Sequence, residues 1–447
     1  MYQKYDTYKD SGVQWLGNIP NDWEVVRFRD ICTFSKGLNI TKENLQDTGI
    51  PCVNYGEVHS KYGFEVSPER NELKCVSEDY LKSSPKSLLA YGDFIFADTS
   101  EDIDGSGNFT YLNSHVMTFA GYHTVIVRPK PYINVRYLAY VFDCLSFRHQ
   151  VRTAVKGVKV YSITKAILKD TAVWLPDLDQ QYEIAQFLDQ KTTQIDQAIA
   201  IKEQQIALLN ERKQIVIQQA VTKGLDPNVK MKDSGVEWIG EIPEHWDTKK
   251  LRYVTEDFMY GTSVECNSLS AGYPVLRIPN VSEYCFDFND LKFTHLSKEE
   301  VNRYSIRQND ILIIRTNGNP ELVGKSAIFQ NISDTYLFAS YLIRIRPTKI
   351  IDPNYLIWVM NSNSVRQFLT FGARTSVGNY NLNTQSLGET IITLPPFDEQ
   401  LQIFKYLEVK RKEFSDLLHI LNEEIKKLNE YKTTLINDVV TGKIKVA

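Results

Sequence analysis

Two long stretches of the sequence carry apolar residues at the spacing of an α-helix. The first runs from Asp177 to Lys223 and the second from Phe397 to Thr441, and neither contains a glycine or a proline. A glycine follows each stretch directly, at Gly224 and Gly442. Glycine is the residue that most often ends a helix, so the pattern predicts one long helix in each stretch.

Within both stretches the apolar residues recur alternately every four and three positions, which is the narrow seam of a coiled coil. Lys213 and Lys432 interrupt the two seams at the same place, which suggests a device that fixes the register of pairing. Matched seams of equal length favour pairing between the two helices, and the alternative is that each helix packs on a separate core. The predicted seam residues are Ile195, Ile199, Ile206, Leu209, Val216, Leu418, Leu421, Ile425, Leu428 and Leu435.

The sequence also repeats itself. Residues 9–23 return as residues 232–246, with ten of fifteen positions identical at an offset of 232 − 9 = 223. A second match begins at Leu175 and Leu394, at an offset of 394 − 175 = 219, and continues without a gap for more than 40 residues. Weaker echoes lie between these matches: residues 92–95 resemble 309–312, and Arg128-Pro129 resembles Arg346-Pro347. The chain therefore contains two copies of one module.

The two copies match at their ends and differ in their middles, at about residues 35–170 and 258–390. The ends therefore share a structural role, whereas each middle has a role of its own. Short β-rich runs predict an α+β fold for the middles, with strands at Phe94–Phe96, Val125–Val127, Ile311–Ile314 and Leu342–Ile345 and helices at Tyr137–Gln150 and Tyr355–Phe368. The predicted domains are residues 1–175, a first long helix at 176–223, residues 224–394, and a second long helix with its tail at 395–447.

Composition and charge restrict the functional class. The formal net charge is 51 − 55 = −4, which excludes a uniformly basic coat protein for nucleic acid. No apolar run approaches the ~18 residues of a membrane helix, and the first residues do not form a signal peptide. We therefore expect a cytoplasmic protein without a membrane partner. The six cysteines are scattered without a Cys-x-x-Cys pair, so no zinc site is predicted.

Three segments resemble catalytic motifs but fail their requirements. Leu394–Phe397 resembles the loop that holds the target amine in methyltransferases, but that loop needs a polar first residue. Asp177, Asp189 and Lys191 fit the spacing of a nuclease metal motif, but the last two lie in a predicted helix. The phosphate-loop pattern at 318–326 has one residue too many between its glycines. No catalytic or metal-binding residue is therefore predicted.

Two segments favour binding of DNA. Residues 148–169 contain six basic residues and no acidic one, and residues 366–388 are also free of acids. Arginine, asparagine and glutamine can read base edges, whereas lysine mostly holds phosphate. The alternative is a solvated basic face without a partner. The predicted DNA-binding residues are Arg148, Arg152, Lys156, Lys159, Tyr161, Lys165, Arg315, Asn317, Lys325, Arg366, Arg374, Asn379, Tyr380 and Asn381.

These features together resemble the specificity (S) subunit of type I restriction–modification systems. The resemblance rests on the duplicated Trp-(Leu/Ile)-Gly-x-Ile-Pro-x-x-Trp openings, on the twin Leu-Pro-x-x-Asp-x-Gln helix starts at 175–181 and 394–400, and on the order variable–helix–variable–helix. It spans essentially the whole chain. One departure is the acidic Asp98–Asp104 loop, where the second copy carries Arg315.

The resemblance implies a fold class and a set of partners. The fold class is α+β, with two pseudo-symmetric target recognition domains separated by two long helices that form an antiparallel coiled coil. Each recognition domain would bind one half of a split site in double-stranded DNA, and the helices would act as a ruler. Two modification (methyltransferase) subunits and the restriction/translocase subunits would join the chain. S-adenosylmethionine, ATP and magnesium would be bound by those partners, with no cofactor in this chain.

Two other functions stay open at this point. The chain could be a non-enzymatic scaffold that binds a protein through its coiled coil, with incidental basic segments. It could also be a fused methyltransferase or nuclease, although the sequence lacks a cofactor-binding loop.

Overall fold

The fold comes from a computed structural model, which describes residues 3–155, 157, 160–330, 334–376 and 378–446. The strands of the first half of the chain are β1 Tyr8–Asp10, β2 Asn18–Pro20, β3 Glu24–Arg27, β4 Cys32–Lys36, β5 Ile50–Val53, β6 Phe64–Val66, β7 Cys75–Val76, β8 Leu88–Leu89, β9 Phe94–Ala97, β10 Thr99–Ser100, β11 Phe109–Leu112, β12 Thr118–Ala120, β13 Thr124–Pro129, β14 Tyr161–Ser162 and β15 Ala172–Leu175. Its helices are α1 Phe28–Ile31, α2 Tyr55–Ser60, α3 Tyr80–Ser83, α4 Val135–Asp143, α5 Leu145–Ala154, α6 Lys165–Asp170 and α7 Leu178–Lys223.

The second half follows the same plan. Its strands are β16 Met231–Asp233, β17 Glu241–Pro243, β18 Asp247–Lys250, β19 Thr255–Tyr260, β20 Tyr273–Leu276, β21 Lys292–Thr294, β22 Ile311–Ile314, β23 Thr316–Asn317, β24 Ser326–Ile328, β25 Leu337–Phe338, β26 Leu342–Pro347, β27 Arg374–Ser376, β28 Asn379–Asn381 and β29 Ile391–Leu394. Its helices are α8 Lys298–Tyr304, α9 Pro353–Met360, α10 Asn363–Gly372, α11 Thr384–Gly388 and α12 Phe397–Val440. Short 3₁₀ turns lie at Lys42–Asn44, Pro85–Ser87, Leu251–Tyr253, Ile278–Asn280 and Pro320–Leu322.

The chain forms two compact units, and each long helix contributes to both. The first unit contains residues 1–202 and 423–447, and the second contains residues 203–422. Each unit therefore combines the start of one long helix with the end of the other.

In the first unit the two helix segments run antiparallel. The Lys432 ammonium lies 2.7 Å and 2.8 Å from the two carboxylate oxygens of Asp196, and Lys202 donates to Glu424 at 2.5 Å. From Asp196 to Lys202 on α7, the paired residue on α12 moves back from Lys432 to Glu424, so the two helices run antiparallel. Ile195 and Leu435 lie beside these pairs in one apolar core.

The second unit joins the other ends of the same helices. Ile217 and Ala220 near the end of α7 share a core with Ile403 and Leu407 near the start of α12. The predicted fold class is confirmed: it is α+β, in two similar copies, with an antiparallel pair of long helices.

Both units contain a corresponding central sheet, of five strands in the first unit and four in the second. Its strand order is β4-β13-β9-β11-β6 in the first unit and β19-β26-β22-β24 in the second. The middle strands β9 and β22 are buried along their whole length, but β9 presents Phe94 and Phe96 where β22 presents Ile311 and Ile313. The corresponding strand thus presents aromatic side chains in one unit and aliphatic side chains in the other. The four strands predicted in the middles are confirmed.

The helix predictions for the middles were wrong in one respect, since each predicted helix is two. In the first unit Cys144 separates α4 from α5 with extended backbone angles, and its sulfur accepts a hydrogen bond from the Phe147 N–H at 3.4 Å. In the second unit Asn361 ends α9 before α10 begins. A buried cysteine that caps a helix carries no stop signal in the sequence.

The repeated openings place a tryptophan against the end of a long helix. In the first unit Trp23 is fully buried, and a Cβ added at Gly442 would lie 2.2 Å from a side-chain atom of Pro20. In the second unit Trp246 is fully buried, and a Cβ added at Gly224 would lie 3.1 Å from its ring. Both glycines also have a positive φ, of +72° and +75°. Only glycine satisfies both demands, which explains why this residue follows each helix.

The glutamine of the repeated Leu-Pro-x-x-Asp-x-Gln motif has the same function in each unit. Gln181 accepts a hydrogen bond from the Asn134 N–H at 2.9 Å and donates to the Pro176 carbonyl at 2.9 Å. Gln400 accepts from the Asp352 N–H at 2.7 Å and donates to the Pro395 carbonyl at 2.9 Å. Both side chains are buried. Each glutamine thus fastens the start of a middle-domain helix to the start of a long helix.

The weak echoes in the middles form one ion pair in each unit. Arg128 grips Asp93 with two hydrogen bonds of 2.8 Å and 2.6 Å, and Arg346 grips Asp310 with two of 2.7 Å and 2.8 Å. Both aspartates are buried, and each also accepts a backbone N–H, from Ala90 or Arg307, at 2.8 Å. These pairs fasten the central strands to the turns that precede them.

The two ion pairs differ in solvent exposure, which predicts unequal costs of breaking them. The Arg346 side chain is 16% exposed, whereas that of Arg128 is 49% exposed. We expect Asp310→Ala to lower the free energy of unfolding by ~3–5 kcal/mol, because it leaves a largely buried guanidinium without a partner. Asp93→Ala should cost less, since water can solvate Arg128. Urea denaturation followed by tryptophan fluorescence measures both, and Asp170→Ala is the control, because Arg29 and Asp170 of that ion pair are 54% and 68% exposed. Equal losses for the two aspartate variants would contradict this ranking.

Candidate nucleic-acid interface

In the second unit a small sheet contains five of the predicted DNA-binding residues, and a sixth, Arg315, precedes it: the five are Asn317, Arg374, Asn379, Tyr380 and Asn381. The strand β28 pairs antiparallel with β23 and with β27. Asn317 lies opposite Tyr380 in this sheet, and Asn379 at the start of β28 is exposed. Arg315 directly precedes β23, and its side chain contacts Asn381. The sheet therefore presents amide side chains and one arginine together.

Within the described part of the chain, Arg315 is held in place without a carboxylate. Its guanidinium lies 4.3 Å above the centre of the Tyr260 ring, and it donates to the Asn381 side chain at 3.3 Å. Its buried Nε has no hydrogen-bond partner among the described residues. Stacking on an aromatic face fixes the plane of a guanidinium while leaving its edge available. Arg315 thus differs from Arg344 and Arg346, which both bind carboxylates.

In the first unit the corresponding small sheet pairs β10 with β14, so Tyr161 lies opposite Ser100. The loop from Thr99 to Asn108 leaves this sheet and carries exposed Glu101 and Asp102. The first unit therefore presents acidic groups where the second presents Arg315.

Two of the predicted DNA-binding arginines in the first unit hold this loop. Arg148 donates to the Asn108 side chain at 2.7 Å and forms an ion pair with Asp143 at 3.0 Å. Arg152 donates to the Asp104 carbonyl at 2.6 Å. The Arg148 and Arg152 side chains are only 18% and 28% exposed. Their hydrogen-bonding edges are thus largely occupied by the protein, and contact of either with DNA stays a prediction.

A histidine extends this network to the start of the loop. His59 hydrogen-bonds the Asn108 side chain at 3.1 Å through Nδ1 and the Thr99 carbonyl at 2.7 Å through Nε2. Arg148, Asn108 and His59 together connect the two ends of the loop.

The remaining predicted residues are dispersed. Lys165 begins α6, Lys325 precedes β24, and both are partly buried. Arg366 donates to the Glu321 carbonyl, and burial lowers the pKa of its guanidinium to about 10. Lys156, Lys159 and the side chain of Arg374 lie outside the described residues.

Four of the predicted seam residues, Ile195, Ile199, Leu428 and Leu435, lie in or against one apolar core of the first unit. All ten are buried or partly buried. The two interrupting lysines differ, however: Lys432 pairs with Asp196 on the other long helix, whereas Lys213 pairs with Glu283 in a loop of the second unit. A shared position in the sequence therefore does not give a shared partner.

The structure also locates the rejected motifs and the cysteines. Asp189 lies in α7, where it accepts hydrogen bonds from Arg136 and Tyr140 at 2.6 Å each. Cys32, Cys52, Cys75 and Cys144 are buried free thiols, whereas Cys266 is partly exposed and Cys285 exposed. Over the described part of the chain, no group of three His, Cys, Asp or Glu side chains is arranged to hold a metal ion. No helix in the same part is long and apolar enough to cross a membrane.

Sequence reasoning named Asp98 in the acidic loop but missed two residues that support these positions. The His123 Nδ1 lies 3.1 Å from a carboxylate oxygen of Asp98 beside β10, and Tyr260 supports Arg315. The echo of Gly92–Ile95 in Asn309–Leu312 puts Asp98 itself directly opposite Arg315.

Comparison with known proteins identifies the family. The type I restriction modification DNA specificity domain matches residues 20–211 and 243–427, which is most of both copies. The chain belongs to this family. It is a DNA sequence-specificity subunit of a type I restriction–modification system, and the scaffold alternative is not favoured.

The match extends over whole relatives. The chain is similar to the EcoKI specificity subunit of Escherichia coli strain K12, with 25% identity over 400 residues that cover 88% of this chain and 82% of that subunit. It is 24% identical over 439 residues to the MjaVIII specificity subunit of Methanocaldococcus jannaschii, covering 96% of this chain and 94% of the relative.

Solved structures share the fold of this specificity subunit. A chain from a structure of a type I R-M system superposes with a TM-score of 0.71 at 15% identity, covering 94% of this chain and 98% of the other. The HsdS subunit from Thermoanaerobacter tengcongensis gives a TM-score of 0.54 at 15% identity, covering 95% and 98%.

Proposed function

We propose that this subunit reads a two-part, asymmetric DNA site, one part with each of its recognition domains, while the pair of long helices sets the spacing. The observation that carries the proposal is the difference between two copies of one fold. We call the repeated segments at the two ends of each copy its frame. The two frames are built from equivalent contacts, such as those of Gln181 and Gln400, but the loops after the central strands carry opposite charge. Two different readers on matching frames suit two different half-sites.

The chain contributes specificity rather than catalysis in this proposal. Methylation and ATP-dependent cleavage belong to two modification subunits and to restriction/translocase subunits, which bind S-adenosylmethionine, ATP and magnesium. The net charge of −4 is consistent with this division, because partner subunits would then supply part of the phosphate contacts that hold the DNA. DNA methylation takes place in the cytoplasm in this proposal, as expected from the sequence.

The long helices offer a surface for a modification subunit. In the second unit Leu208 and Ile215 of α7 are 56% and 47% exposed, and they are seven residues apart and so share one face of the helix. On α12 Val409, Leu417 and Ile420 are also about half exposed, at 57%, 47% and 52%. Large aliphatic side chains exposed at heptad spacing are typical of a helix that receives a further helix.

Charges on this surface should therefore prevent assembly. We expect the double variant Leu208→Glu, Ile215→Glu to lose at least ~90% of the modification subunit that co-purifies with the chain, because burial of two carboxylates in an apolar contact is costly. The control is Ala207→Glu, Asn210→Glu, at exposed positions on a different face of the same helix. Thermal unfolding checks that both variants fold. Normal assembly of the folded double variant would exclude this surface.

Exchange of one recognition domain tests the proposed function itself. The frame strands β3 and β15 pair with each other in the first unit, and β18 pairs with β29 in the second. Replacement of residues 28–171 by the chain's own residues 251–390 keeps both frames and duplicates the second reader. With the modification subunits present, sequencing of methylated bases should show that the first half of the site has become a copy of the second.

The control for this exchange is the wild-type chain with the same partners, which should methylate an asymmetric site. An unchanged site, or the loss of both halves in a folded and assembled chimera, would contradict independent reading by the two domains.

A further inference from the structure

The residue that follows the central strand has the same backbone environment in both units. In the first unit the Asp98 N–H donates to the His123 carbonyl at 3.0 Å, and the Asp98 carbonyl accepts from the Ile163 N–H at 2.8 Å. In the second unit the Arg315 N–H donates to the Tyr341 carbonyl at 3.0 Å, and the Arg315 carbonyl accepts from the Leu382 N–H at 2.7 Å. Asp98 and Arg315 are therefore equivalent positions with opposite charge.

Both positions lie between the end of a buried central strand and a partly exposed loop. The central strands β9 and β22 are buried, whereas the Asp98 side chain is 34% exposed and Arg315 is partly exposed. The small sheets β10–β14 and β23–β28 begin at the next residue. Each side chain thus stands where the rigid core meets the variable surface.

Arg315 has the geometry of a pre-organised donor. Tyr260 supports its guanidinium from one side, and Asn381 holds one end. Among the described residues no carboxylate pairs with it, and its buried Nε lacks an acceptor. A guanidinium fixed by stacking and left without an anion suits a ligand that offers two acceptors in one plane, as guanine does through O6 and N7 in the major groove.

Asp98 has the opposite chemistry. One carboxylate oxygen lies 3.1 Å from the His123 Nδ1, and the His123 ring rests edge-on against Tyr55 with the ring centres 5.4 Å apart. Histidine therefore fixes the carboxylate as tyrosine fixes Arg315. A carboxylate accepts hydrogen bonds only, so it suits a base that presents an amino group in the major groove, which is cytosine N4 or adenine N6.

From this equivalence we propose that Asp98 and Arg315 are specificity-determining residues of the two recognition domains, Arg315 for a guanine in its half-site and Asp98 for an amino-bearing base in the other. This inference rests on the proposed function. It adds that one recognition domain offers a hydrogen-bond donor to its base and the other offers an acceptor. Arg148, Asn108, His59 and Tyr260 are positioning residues, because they hold the readers or their loops and need not touch a base.

Binding to a library of duplexes tests the inference with the assembled complex of this chain and its modification subunits. For the wild type, one position in one half-site should require guanine, and one position in the other half should require cytosine or adenine. Arg315→Gln should relax the guanine preference by ~10- to 100-fold and leave the other half-site unchanged. Arg315→Lys, which keeps the charge but not the planar fork, should retain part of the preference.

The first unit gives a reciprocal test. Asp98→Ala, which removes the acceptor, should weaken the preference for cytosine or adenine at its own position by ~10-fold or more, without any effect on the guanine position. For the Arg315 variants the matched control is Arg303→Gln. Arg303 is an exposed arginine that also lies over a tyrosine, with its guanidinium 5.6 Å from the Tyr304 ring centre. This control should leave both half-sites unchanged.

The outcomes separate the inference from the proposed function. A wild-type complex without sequence preference would overturn the proposed function and the inference together. A specific wild-type complex whose half-sites are both unchanged by Arg315→Gln, Arg315→Lys and Asp98→Ala would overturn only the inference. Equal effects of each variant on both half-sites would overturn it as well. Thermal unfolding of every variant identifies any that has lost its fold. If Arg315→Gln does not fold, Arg315→Lys is the variant that tests the role of Arg315.

Discussion

Each compact unit depends on a contact between a frame strand and the end of a long helix that began in the other copy of the repeat. In the first unit Trp174 donates its indole N–H to the Val440 carbonyl at 2.5 Å, and in the second unit Thr393 donates its hydroxyl to the Val221 carbonyl at 2.6 Å. These carbonyls lie in the last turn of α12 and of α7, where no intrahelical partner is available. Neither copy of the sequence therefore completes its own core, and antiparallel pairing of the helices is a condition for both units.

This arrangement separates the residues that build the fold from the residues that recognise a ligand. The tryptophans, glutamines and glycines of the repeated segments make equivalent contacts in both units, and so do the Asp93–Arg128 and Asp310–Arg346 pairs. The loops attached to this frame differ in length, charge and polarity. Such a chain can change what it recognises without disturbing what holds it together, which is what a specificity subunit requires.

Most of the frame could be predicted from the sequence because its signals are local or repeated. The helix stops, the seams and the twin motifs follow from spacing alone, and even the weak echo of Asp93 and Arg128 marked a real ion pair. The candidate site could be predicted only in part. The distribution of charged residues along the chain located the acid-free segments. It did not reveal that Arg148 binds Asn108, 40 residues away in the sequence, or that Tyr260 supports Arg315. Such partners are set by tertiary packing, which a single sequence does not encode at any fixed spacing.

Zero-length cross-linking of carboxylates to amines tests the antiparallel helix pairing most directly. Mass spectrometry of the cross-linked chain should identify Lys432 joined to Asp196 and Lys202 joined to Glu424, both within single chains when labelled and unlabelled protein are mixed. The local pair Lys410–Glu413, at 2.7 Å within α12, is the positive control for reaction. Recovery of the control link without either link between the helices would contradict the account.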